Sequence, residues 1–233
     1  MNATRSTRCE RGRRLYEEAG PAIRGRHNDN NGAILMLDLK RTLALVRGAL
    51  LDPEPTWRAY RAEAGDWRRT VLLLTGPLLV ASAVLAWAFG YLQADTSMLA
   101  PLRPTPGTVV VNILTGAVSA AIAAVVFARV AGITGGNNDV PLALAATTLA
   151  FVPAYLGEAL AWFPWIGWIL ALGLLAWSLV LLWRILPLYL AVPEEKRVLH
   201  YVLSLATVIV LVYVLSRLVN AMFFGGAAVP SAA

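Results

Sequence analysis

The side chains that could do chemistry here are sparse and sit in apolar surroundings: Asn112, Thr115, Ser119, Glu158, Arg184 and Arg217. A charge inside a membrane span costs at least about 2.5–3.5 kcal/mol on insertion scales, so such residues mark pathways, pair with one another, or stand where a span ends. Asn112, Thr115 and Ser119 fall at i, i+3 and i+7, which places them on one face of a helix. Two readings fit that face. It is one wall of a polar pathway, or it is a packing face, since Gly116, Ala120 and Ala124 form a small-residue ridge beside it that lets helices approach. Glu158 and Arg217 carry opposite charges about four and seven residues from the far ends of their spans, a depth difference of about 4–5 Å. They pair if their helices are neighbours; otherwise each reaches the headgroups alone.

Enzyme chemistry finds little to build on. Ser119 lies in "AVSAA", outside any Gly-x-Ser-Gly pattern and without an intramembrane histidine nearby. No His-Glu-x-x-His zinc site occurs, and no pair of membrane aspartates could share a proton. "GITGGNN" lacks the Lys and following Ser or Thr of a phosphate-binding loop and reads as a flexible turn. Cys9 is the single cysteine, and His27 and His200 have no partner at ligand spacing. The expectation is a protein that is not an enzyme and has no cofactor, metal or nucleic-acid partner.

The elements that must position these residues are apolar spans. Of 233 residues, 58% are hydrophobic and only 15% charged, with mean hydropathy +0.62. Soluble domains run nearer 45–50% apolar and a quarter charged. From Thr70 onward, runs of about 20 apolar residues match a hydrocarbon core about 30 Å thick. Spans are predicted over Thr70–Leu92, Gly107–Ala131, Val140–Trp162, Trp165–Leu190 and Val198–Phe224. Pro77 lies in the first, and the proline-rich "APLRPTPG" precedes the second. Asp139 can cap the third and Pro141 fits its first turn. Only "FPW" separates the third from the fourth, which implies a tight antiparallel hairpin. The fold class is therefore all-α: a polytopic membrane bundle of five transmembrane helices with an N-terminal cytosolic amphipathic helix.

The expected domains are a disordered tail over 1–35, cytosolic or interfacial helices over 36–69, the membrane domain over 70–224, and a short tail over 225–233. Residues 1–32 are polar and rich in Arg and Asn, and organised sequence begins near Met36, a candidate start. No signal peptide opens the chain. In 36–51, Leu39, Leu43, Val46 and Leu50 form a helical stripe with Lys40, Arg41 and Arg47 off it. Such a helix lies on anionic lipid, or it packs against the ends of the spans. "DPEP" then ends it, and Trp57, Tyr60 and Trp67 suit a headgroup layer.

Fourteen Lys or Arg precede the first span, and Arg129, Arg184, Lys196 and Arg197 fall on the same side, leaving Arg103 and Arg217 opposite. The bias of basic residues to the cytoplasm puts the N-terminus inside and the C-terminus outside. Eighteen Arg against two Lys suggests a GC-rich prokaryotic genome, hence the cytoplasmic (inner) membrane. In "LLWRILPLYLAVPEEK", Arg184 then lies in the inner third of its span and lifts its guanidinium to the headgroups. Pro187 loosens that end. Pro193 and the Glu194–Glu195 pair suit the first turn of the fifth span. Arg184 marks a membrane edge.

The order of these pieces resembles the Yip-one (Ypt-interacting protein) family of five-span membrane proteins. The resembling stretches are "RGALLDPEPTWRAYRAE", "GITGGNNDVPLALAATTLAFVPAYLG" and "WIGWILALGLLAWSLVLLWRILPLYLAVPEEKRVLHY", within about residues 36–224. The resemblance implies a cytosolic N-terminus, five spans and no known enzyme activity, with eukaryotic members linked to Rab-type GTPases and vesicle traffic. The "DLYGP" that eukaryotic members carry before the first span is replaced here by "GDWRRTVLLLTGP". The expected function is a scaffold that organises membrane or protein partners. The alternative is a transporter or channel for a small molecule, ion or lipid, acting as a homo-oligomer. The expected partners are the bilayer itself, anionic lipid through 36–51, and a second copy of the chain.

Overall fold

The computed structural model of the protein describes residues 31–94, 105–161, 163 and 166–224. Cys9, His27, Arg103, the first part of the "APLRPTPG" loop, Trp162, Pro164, Trp165 and the two tails lie outside the described residues. So do most of the residues expected to form the N-terminal tail.

The described chain is helical throughout. It comprises α1 (Asn31–Leu51), α2 (Pro53–Arg61), α3 (Trp67–Thr70), a π-helical turn (Val71–Thr75), α4 (Gly76–Ala94), α5 (Pro106–Thr134), α6 (Val140–Leu160), α7 (Ile166–Leu190) and α8 (Glu194–Phe224). Five helical segments are long and apolar enough to cross a membrane: Trp67–Leu92, Pro106–Thr134, Val140–Leu160, Ile166–Leu190 and Glu194–Phe223. They coincide with the predicted spans, extending the first, second and fifth by a few residues at their ends.

The chain divides into two units, residues 1–40 and 41–233. Within the second, α6 is the central helix and packs on α4, α5 and α7, while α8 packs mainly on α5. Its composition explains that position. Ala143, Ala145, Ala146 and Ala150 are fully buried, and so short a side chain lets a neighbouring backbone come close. Gly157 does the same for α7. A Cβ there would lie 3.2 Å from Ala171 Cα, so the hairpin is as tight as the short connection requires. At its turn the Gly167 amide donates to Phe163 O at 3.0 Å.

Prolines within the first and third spans leave backbone groups that neighbouring helices satisfy. Pro77 has no N–H to give the turn before it; that turn is π-helical, and its Leu73 carbonyl accepts from the Thr42 hydroxyl of α1 at 2.7 Å. Pro153 interrupts α6, and the next amide, Ala154 N–H, donates to the Ser178 hydroxyl of α7 at 3.0 Å. Hydrocarbon offers no substitute partner, so such caps must come from protein.

At the α2 end the bundle is closed. Trp57 and Tyr60 are buried, and the Tyr189 hydroxyl donates to Trp57 O at 2.9 Å. Tyr60 shares a hydrogen bond with Thr70 Oγ1 at 3.1 Å, and burial raises its phenol above the ordinary tyrosine range because the phenolate is disfavoured there. Glu63 pairs with both Arg41 and Arg69. Asp139 Oδ1 accepts from Leu142 N at 3.0 Å, the cap its position suggested.

Three local expectations are corrected. The "GITGGNN" turn is pinned rather than free: Gly135 takes a left-handed φ of 90°, and Asn137 N–H donates to Leu190 O at 2.7 Å. Gly136 sits so close to α7 that a Cβ would lie 2.5 Å from Leu190 O. Pro193 directly precedes α8 instead of entering it. In α1 the inward face is Thr42, Leu45, Val46, Ala49 and Leu50, whereas Leu39 and Leu43, which the stripe grouped with Val46 and Leu50, are 59% and 61% exposed. Thr42 turns inward because Leu73 O needs its hydroxyl.

Candidate functional site

A cavity of about 580 Å³ lies among the spans in the half away from α2, and all five spans line it. The second span contributes Asn112, Thr115 and Ser119, the face that the i, i+3, i+7 spacing defines. Gly116 and Ala120 of the small-residue ridge also border it, while Ala124 is buried in packing. Gly116 is needed for close approach: a Cβ there would lie 2.5 Å from Leu79 Cδ2 of α4. The third span contributes Thr147, Thr148, Phe151, Tyr155 and Glu158. Leucines and valines of the other spans close the rest.

The polar groups of this cavity fall into two sets. Thr147 donates to Ala143 O at 2.9 Å, and Thr148 shares a hydrogen bond with Thr75 at 2.9 Å. Ser82 and Ser216 bond to carbonyls of their own helices, at 3.2 and 2.8 Å. Among the described residues, the side chains of Asn112, Thr115 and Ser119 make no hydrogen bond to protein, and Glu158 makes no ion pair. Ser82 is within hydrogen-bonding reach of the Glu158 carboxylate. Glu158 carries the only formal charge among the lining residues.

Depth orders these groups. Glu158 is two residues from the end of its span and Asn112 six residues from the start of its own, so they lie about 3 and 9 Å from the same end of the bundle. Thr147 and Ser119 lie about 20 Å in. The charged end of the cavity is level with the end of the third span and the start of the second, and its floor is deeper along them.

The other two charged candidates are elsewhere. Arg217 is exposed on α8, does not line the cavity, and forms no ion pair with Glu158. Nearby depth was not enough, because α8 packs chiefly on α5, away from α6. Arg184 is at the α2 end, where Nη2 donates to Glu54 Oε1 at 2.7 Å. The pairing with α2 is an addition that periodicity could not supply. His200 is buried beside Phe127, with Nδ1 3.4 Å from Thr134 Oγ1. Among the described residues no three His, Cys, Asp or Glu side chains converge as a metal site would need.

Ser82, Thr147, Thr148, Tyr155 and Ser216 were not singled out from sequence. Adjacent threonines within an apolar run were the available signal for two of them. The arrangement as a whole can hold an elongated guest that is apolar along its length and polar at one end. A family model described as "Yip1 domain" matches residues 47–216, a range that contains every residue lining the cavity. No curated protein and no solved structure matches the chain.

Proposed function

Because the chain belongs to the Yip1 domain family, we propose that it is a non-enzymatic multi-pass membrane protein that organises lipid or protein partners around itself, with the intramembrane cavity as its binding site. The observation that carries this is the set of polar groups, Asn112, Thr115 and Ser119 of α5 and Glu158 of α6, that border one apolar-walled space. Pockets of about 300–1,000 Å³ with few placed polar groups are what ligand sites look like. Purification from native membranes in mild detergent, followed by native mass spectrometry, tests it. Lipid-sized adducts should accompany the chain and be lost when Ser119→Leu and Ala123→Leu together fill the cavity. Identical adducts on the filled variant would remove the cavity from the account.

We also propose that the α2 end lies in the cytoplasm of a prokaryotic cell. Supporting this, Arg41, Arg47, Arg58, Arg61, Arg68 and Arg69 cluster in or beside α1–α3, and Arg129, Arg184, Lys196 and Arg197 lie on spans that meet that end. There Leu43 and Leu51 are exposed beside Arg47, a face suited to anionic lipid. A reporter fused after Ala233 should read outside and one after residue 35 inside; both on one side would reverse the assignment.

A transport reading has one observation in its favour, the polar wall of α5 that runs from about 9 to about 20 Å deep. It requires a continuous path, which a second copy of the chain would have to complete. Solute flux in proteoliposomes distinguishes it, since a scaffold shows none.

A further inference from the structure

Resting on the reading of the cavity as a binding site, we infer that its ligand class is an alkyl-ammonium amphiphile, with the ammonium on the Glu158 carboxylate and the chain running inward along Phe151, Leu179 and Val208. Three observations select this class. The lining holds one formal charge, and it is negative; no Lys, Arg or His of the described chain pairs with it. A cation brought by the ligand supplies the missing countercharge, and charge-assisted hydrogen bonds to a carboxylate are the stronger kind.

The second observation is position. Glu158 lies about 3 Å from the end of its span, level with a headgroup layer, while Phe151, Leu179 and Val208 border the deeper part. A molecule with its charge at one end and hydrocarbon behind it matches that gradient. The third is the state of the deep hydroxyls. Thr147 and Thr148 already bond within the protein, so on the α6 side the floor presents hydrocarbon and methyl groups, and a polar guest at that depth would meet little more than the Ser119 hydroxyl of α5. A metal ion fits poorly, because one carboxylate without neighbouring acids is a small fraction of the six to eight oxygens a hard cation takes. A fatty acid would set carboxylate against carboxylate.

The test uses the full chain in phosphatidylglycerol nanodiscs, whose lipid carries no amine to compete. Three diazirine probes with the same eighteen-carbon chain are compared: octadecylamine, octadecanol and octadecanoic acid. Labelling at Phe151 and Val208 is read as a ratio to labelling at Ile169, which is 71% exposed on the outer face of α7. This ratio cancels surface enrichment of the amine. The amine should label the cavity about tenfold above the alcohol, as expected for one charge-assisted contact, and the acid least. Glu158→Gln should bring the amine down to the alcohol's ratio without changing the alcohol. An amine ratio no higher than the alcohol's, or unchanged in Glu158→Gln, would overturn the inference while leaving a neutral binding site. If none of the three probes labels the cavity above Ile169, the binding-site reading itself fails. Should Glu158→Gln not fold, the headgroup series on the unaltered chain decides.

Discussion

The third and fourth spans pass through two different environments. Near α2 they form part of a packed interior: Leu181, Leu182, Ile185, Leu186, Tyr189 and Leu190 are fully buried, and Tyr189 reaches the backbone of Trp57. Toward the other end the same two helices border a cavity, and Glu158 and Leu175 look into open space. One end is filled by side chains and the other leaves space between them. The difference lies in what covers each half. α2 and the π-turn segment complete the packing at one end, whereas at the other the short side chains of Ala120 and Ala123 leave space unfilled.

Breaking the closed end should have the largest effect. Tyr189→Ala removes a buried ring and leaves Trp57 O unpaired, and a loss of about 3–5 kcal/mol is expected, read as a steep fall in thermal stability in nanodiscs. A loss below about 1 kcal/mol would mean that α2 does not complete the core. A pair of matched substitutions then sharpens the contrast. Ala128 is fully buried in α5, while Ala123, five residues earlier, borders the cavity. Ala128→Leu should destabilise by about 1–3 kcal/mol through overpacking, and Ala123→Leu should be neutral or stabilising because space is present. Equal costs at both positions would indicate that the cavity closes in the membrane. The smallest effect concerns Arg184 and Glu54, whose side chains are 48% and 45% exposed. Solvent screening limits an exposed pair, so a double-mutant cycle should give a coupling of only about 0.2–1 kcal/mol. A coupling above about 2 kcal/mol would mean that this contact, and not the buried aromatics, fastens α2.

Much of the fold was legible because apolar length and helical period are local properties. The spans, the Asp139 cap, the hairpin at Phe163 and the shared face of Asn112, Thr115 and Ser119 all follow from spacing within one segment. The cavity did not, because it depends on which helices stand beside one another. Glu54 and Arg184 are 130 positions apart, and nothing in either segment names the other. Depth alone suggested joining Glu158 to Arg217, and adjacency refused it. In α1 the leucine stripe was misread for a different reason. A hydrophobicity count ranks Thr42 as polar and therefore outward, but a proline on another helix had created a carbonyl that needed it.

The cap that Ser178 provides to Ala154 bears on how the chain is made. The third span emerges from synthesis with Pro153 already weakening its ladder and without the hydroxyl that accepts from Ala154 N–H in the finished fold. That acceptor is on the fourth span, which follows after a connection of only a few residues. A third span released alone into lipid would carry the deficit until its successor arrived. The two are therefore expected to leave the insertion machinery as one preassembled unit, and lengthening the connection near Phe163 should slow membrane integration before it alters the finished protein.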